Sequence, residues 1–170
     1  MRSTTLMIAL ALIASTAPAS AAPAPHVAAT GFDQLKQPLP YPYDENADAK
    51  AAIARARQIA IRQHKRVLID FGGNWCADCR ILAGTMDLPE VKSFIGKHYV
   101  EVTVDVGRFN KNLDIWQSYG QPARPKGVPA VLIVDPRSNT VINKGRETAL
   151  EDARSMNPQA LADWLAQWTQ

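Results

Sequence analysis

An α/β architecture, a central mixed β-sheet with helices on both faces, is what the order of elements in this chain of 170 residues predicts. Three observations carry it. Runs of strand-forming residues at 67–71, 98–106 and 128–135 are separated by stretches with helical patterning. A turn, PRSN, then joins the last of these runs to a further strand candidate, TVINKG, so the sheet ends in a hairpin and must mix parallel and antiparallel neighbours. A closing amphipathic helix completes a chain whose length suits one domain and whose 46% hydrophobic and 21% charged residues can furnish and cover one core.

The elements follow in order. The first segment, MRSTTLMIALALIASTAPASAA, has Arg2 as its single charge, an apolar run from Leu6 to Ala14 and small residues around Ala17, Ala19 and Ala21. It reads as a signal peptide spanning residues 1–21 and cleaved between Ala19 and Ala22. The run falls short of the roughly 20 residues needed to span a bilayer. The expectation is therefore export to the periplasm or an equivalent extracytoplasmic space, with no stable membrane insertion after cleavage. Residues 22–43, APAPHVAATGFDQLKQPLPYPY, lack periodicity and are expected to form a flexible leader that packs loosely at its end. Pro38, Pro40 and Pro42 alternate with Leu39, Tyr41 and Tyr43, which predicts an extended segment laid across the folded domain, residues 44–170.

From Asp44 or Asn46 the sequence becomes Ala-rich, with acids at the start and bases at the finish, and predicts a helix of about 18 residues presenting Ile53, Ala56 and Ala60. VLIDF at 67–71 reads as a buried strand with an acid, Asp70, inside it. Helical stretches follow at Arg80–Met86 and Leu88–Ile95. HYVEVTVDV alternates Val100, Val102, Val104 and Val106 with Glu101, Thr103 and Asp105, the period of a strand. Between 107 and 127 come a short helix candidate, Leu113–Tyr119, and the loop QPARPKG; VPAVLIVD is a second buried strand. Asn157 and Pro158 suit the N-cap and first position of the last helix, whose Leu161, Trp164, Leu165 and Trp168 share a face. Without Arg2 the chain has 18 Lys and Arg against 16 Asp and Glu, scattered rather than clustered, so no nucleic-acid partner is expected.

Both cysteines lie in FGGNWCADCR, residues 71–80. As a structural staple the pair would close a loop too short to remove much unfolded-state entropy. As a metal site it would need further ligands from His64, His98, Asp70 or Asp78. As a redox pair it is well placed: a Cys-x-x-Cys that follows a strand and opens a helix puts Cys76 among unpaired backbone N–H groups that favour a thiolate, with Cys79 one turn on and within disulfide reach. Cys76 is then the nucleophile and Cys79 the resolving thiol.

VLIDF-x-x-x-WCxxC, together with KGVPAVLIV at 126–134, resembles the thioredoxin superfamily over roughly residues 50–168. The resemblance implies a thioredoxin fold carrying an N-terminal extension. It implies that Asp70, its pKa raised by desolvation, takes the proton of Cys79; that Pro129 is cis and turns Val128 to pair with a substrate strand; and that Trp75 shields the sulfurs and offers a docking face. Four departures stand out. Ala77 and Asp78 replace Gly-Pro between the cysteines, and the Asp78 charge opposes a thiolate by about 1 kcal/mol, a shift of roughly 20 mV towards a reducing couple. Gly72 replaces a tryptophan and implies wider access. Glu101 aligns with a lysine and would raise both its own carboxyl pKa and that of Asp70. The loop at 107–126 is longer and is the candidate for partner selection. Among exported relatives the chain resembles the C-terminal thioredoxin-like domain of the periplasmic membrane electron transporter. The expected function is an exported thiol-disulfide oxidoreductase reducing protein disulfides, with the Cys76–Cys79 disulfide in place of any cofactor or metal. Its expected partners are protein thiols and disulfides, with a membrane thiol relay as electron donor. Disulfide donation, copper handling and a redox-silent binding role are the alternatives, and an isomerase is less favoured for want of a dimerisation domain.

Overall fold

The computed structural model describes residues 20–169, so the expected signal peptide lies outside the described residues except for its last two positions. The first helix begins later than expected. Asp48 has extended backbone and its carboxylate accepts a hydrogen bond from Ala51 N at 3.0 Å, so α1 (Ala49–Gln63) starts directly behind this cap, while Asp44 closes a turn through its carbonyl to Ala47 N. Ala49, Ile53, Ala56 and Ala60 form its buried face. His64, at a left-handed φ of 54°, ends it.

The central strand β1 (Arg66–Gly72) pairs in parallel with β2 (Tyr99–Asp105) and antiparallel with β3 (Ala130–Asp135); β4 (Thr140–Val141) lies outside β3, giving the order β2-β1-β3-β4. Helices α2 (Ala77–Met86) and α3 (Pro89–His98) make the crossover from β1 to β2, as a parallel pair requires. α4 (Leu113–Ser118) follows, and α5 (Pro158–Ala166) starts where the Asn157 side chain accepts from Ala160 N at 2.8 Å. The expected mixed sheet with helices on both faces is present. Strand alternation divides its core: Val67, Ile69 and Phe71 pack with α1 and α4, whereas Leu68, Val131 and Ile133 pack with α2, α3 and α5.

Two segments depart from expectation. TVINKG forms only two residues of strand; Ile142 N still donates to Ile133 O at 2.7 Å, and from the next residue a side chain takes over the pairing. Asn143 is fully buried; its Oδ1 accepts from Ile133 N and its Nδ2 donates to Val131 O, both at 2.8 Å, satisfying the outer edge of β3 without a strand. Residues 22–43, expected as a flexible leader packing loosely, instead run fixed along the domain. Ala22 N donates to Thr169 Oγ1 and Val27 N to Gln159 Oε1, and Val27, Leu35 and Tyr43 are buried. The alternating Pro-rich stretch is extended and crosses α2, where Arg80 donates from Nε to Pro40 O and from Nη2 to Leu39 O while its guanidinium lies 3.9 Å from the Tyr41 ring centre. The three prolines donate no backbone N–H, so at those positions only the carbonyls can anchor the strap.

Candidate active site

β1 ends at Gly72 and a tight turn, with Cys76 N donating to Gly73 O at 3.0 Å, delivers the chain to α2. Cys76 is the N-cap of that helix and its Sγ lies 3.1 Å from Cys79 N. The two cysteines are joined in a disulfide with Cα atoms 5.3 Å apart. Their exposure differs, 6% for Cys76 against 0% for Cys79, so an incoming group reaches Cys76 first. Cys76 Sγ also lies 3.3 Å from the Val128 carbonyl oxygen, and the Val128–Pro129 peptide bond is cis.

Asp70 is buried on β1. Tyr43, from the strap, donates its hydroxyl proton to Asp70 Oδ2 at 2.7 Å, and among the described residues Oδ1 has no hydrogen-bond partner. Burial pushes the carboxyl up, the Tyr43 hydrogen bond pulls it back and the Glu101 charge adds a little, leaving it at about 7. Glu101 itself sits on β2 opposite Leu68 with its residue exposed overall; partial desolvation of the carboxyl, then the Asp87 charge, raises it against the opposing pull of Lys92. Gly72 does not widen access as the sequence implied. A Cβ built there would collide with the Tyr43 hydroxyl and come 2.8 Å from Cys79 Sγ, so tyrosine from the strap fills the room that the small residue leaves.

Ala77 is the first residue of α2 and Asp78 the second. Asp78 accepts from the backbone N, Nε and Nη2 of Arg154 at 2.9, 2.9 and 2.5 Å. Burial acts to raise its carboxyl, but the Arg154 hydrogen bonds and charge outweigh it and the net shift is downward. The charge that the sequence sets against a thiolate is thus met by a guanidinium, which offsets the expected lean towards a reducing couple.

Trp75 is 41% exposed and donates Nε1–H to Gly107 O at 2.6 Å. Arg108 stacks 4.6 Å from its ring centre, Phe109 meets it edge-on at 6.0 Å, and Arg124 lies over Phe109. The 107–126 loop therefore stands beside the cysteines, forming one wall of an open cleft lined by Trp75, Cys76, Phe109, Lys126, Val128 and Arg154. Among the described residues no group of three or more His, Cys, Asp or Glu is assembled for a metal: His64 caps α1 and His98 packs on Phe94.

Tyr43 and Arg154 are the site residues that sequence reasoning missed. The alternating PLPYPY marked an extended strap but not where it lands, and the one local hint was the missing bulk at Gly72. For Arg154, 76 positions from its partner, there was no hint.

The thioredoxin-like family model matches residues 48–136. None of the curated proteins matches the chain. Among solved structures, a disulphide isomerase from Xylella fastidiosa Temecula1 is 38% identical, with a TM-score of 0.71 over 78% of this chain and 99% of its own. The C-terminal domain of Neisseria meningitidis DsbD in its oxidised form is 24% identical, with a TM-score of 0.42 over 55% of this chain and 78% of that one. On the extent of the family match and of the Xylella likeness, the chain belongs to the thioredoxin-like family.

Proposed function

We propose that the protein is an exported thiol-disulfide oxidoreductase that reduces disulfides in other proteins. The observation that carries this reading is the Cys76–Cys79 disulfide at the start of α2, with Cys76 facing an open cleft beside the Val128 carbonyl. In the reduced protein Cys76 attacks a substrate sulfur and forms a mixed disulfide. Cys79 then attacks Cys76 Sγ, the substrate thiolate leaves, and the protein keeps the disulfide. Asp70 takes the proton that Cys79 gives up, and the backbone at Val128–Pro129 pairs with an extended substrate segment, with Trp75 as its apolar floor. The cycle requires no organic cofactor. Outside the cytoplasm the dithiol must be regenerated by a membrane thiol relay.

Isomerisation is the second reading, favoured by the 38% identical relative described as a disulphide isomerase; it begins with the same attack by Cys76 but ends with the substrate's own thiol displacing it. The test is the equilibrium reduction potential of the mature protein in glutathione and dithiothreitol buffers, run beside trapping by Cys79→Ser. A potential near that of thioredoxin, about −270 mV, with trapped mixed disulfides is the expected result; a value near about −120 mV makes the protein a disulfide donor instead. Reactivation of scrambled ribonuclease without net reduction selects the isomerase. Insulin reduction equal in wild type and Cys76→Ser would sink all three.

A further inference from the structure

We propose that the Tyr43 hydroxyl relays the proton of the resolving thiol Cys79 to Asp70, an inference that rests on the oxidoreductase reading above. The hydroxyl already donates to Asp70 Oδ2 at 2.7 Å in a buried setting. It also borders the same small space as Cys79 Sγ, since both atoms crowd the position a Gly72 Cβ would take. Asp70 and Gly72 point to one side of β1, so acid, hydroxyl and sulfur lie on a common face.

The tyrosine is held in place from several elements. Tyr43 N donates to Asn74 Oδ1 at 3.1 Å and Asn74 Nδ2 returns a bond to Tyr43 O at 2.8 Å; Thr103 Oγ1 on β2 donates to Pro42 O at 3.0 Å; Arg80 on α2 donates to the carbonyls of Leu39 and Pro40. A relay needs this fixity, because proton transfer requires heavy atoms kept at hydrogen-bond reach. The charged groups around it are Asp70 on β1 and Glu101 and Asp105 on β2, the last paired with Lys111, with Cys79 facing from α2. Burial first, then the neighbouring Asp70, holds the phenol well above its ordinary pKa, so it transmits a proton without becoming a lasting anion. As Cys79 attacks Cys76 Sγ, the Cys79 S–H proton passes to the Tyr43 oxygen and the former Tyr43 proton to Asp70 Oδ2. The Cys76–substrate S–S bond breaks, the Cys76–Cys79 bond forms, and the electron pair departs on the substrate thiolate.

Dithiobis-nitrobenzoate separates the two steps, because attack by Cys76 releases one coloured thiolate and resolution by Cys79 releases the second. The expected result for Tyr43→Phe, which keeps the packed ring, is a first release at the wild-type rate and a second slowed about tenfold or more. Its rise with pH moves to higher pH than in wild type, because the bond that favoured the Asp70 carboxylate is gone. Asp70→Asn loses that rise, and adding Tyr43→Phe to it costs nothing more. A second release with wild-type rate and pH profile in Tyr43→Phe overturns the relay, as does an additive loss in the double variant. A wild-type protein giving no first release fails the oxidoreductase reading itself, and the relay with it.

Discussion

Cys76 and Cys79 open the same helix a few residues apart, yet their surroundings have little in common. Cys79 faces a buried compartment made by β1, the start of α2 and a strap from the N-terminal side of the chain, where Asp70 and Tyr43 share one hydrogen bond. Cys76 faces outward, beside an exposed tryptophan, the 107–126 loop and the cationic side chains of Arg108, Lys126 and Arg154. Under the proposed function the contrast suits two different tasks. Holding a proton on a carboxyl near neutral pH needs burial and fixed partners. Receiving disulfides from other chains needs open backbone and adaptable side chains.

On the buried side the expected effect is greatest. A carboxyl whose folded pKa is about 7, against an ordinary 3.8, binds more protons in the folded than in the unfolded state, so its contribution to stability is present at acid pH and is lost as pH rises from about 4 to about 7. Asp70→Asn removes that dependence, and urea unfolding should show the variant gaining on wild type by a few kcal/mol between pH 5 and pH 8. An unchanged difference across that range would mean that the carboxyl is not held up by burial. Gly72→Ala comes next. Its new methyl meets the Tyr43 hydroxyl and Cys79 Sγ, and overpacking of this kind costs about 1–3 kcal/mol. The midpoint in urea should fall, and the strap around Tyr43 should become sensitive to limited proteolysis. A change of similar size at Gly96, where a Cβ meets nothing within 4 Å, would remove the distinction between the two positions.

The smallest effect tests the open side. Arg154 is mostly exposed, so Arg154→Ala should leave stability nearly unchanged while releasing the Asp78 charge beside Cys76. The reduction potential should then move towards the reducing end by roughly 20 mV in glutathione buffers. A shift in the opposite direction would show that the guanidinium does not act through Asp78.

Much of the frame was legible in the amino acids because its causes are short-range. The period of two in residues 98–106, the apolar run at 67–71 and the Asn157-Pro158 start of α5 depend on neighbours within a turn or a strand, and each appears in the fold near its expected bounds. The pairing of a Cys-x-x-Cys behind one strand with a proline opening another was equally readable, since both are local motifs. The start of α1 moved by a few residues because several acids competed to cap it, and geometry at Asp48 selected one.

By itself, then, the sequence determined which segments become strand or helix, which cysteine opens α2 and which carboxyl is buried inside a strand. Only the tertiary structure decided what surrounds them. It laid residues 39–43 over α2 so that Tyr43 reaches Asp70, 27 positions away; it set Arg154 on Asp78 across 76 positions; and it let the Asn143 side chain stand in for a strand. Such contacts join groups with no shared period or local conformation, and they exist only once the sheet and its flanking helices have brought distant parts of the chain together.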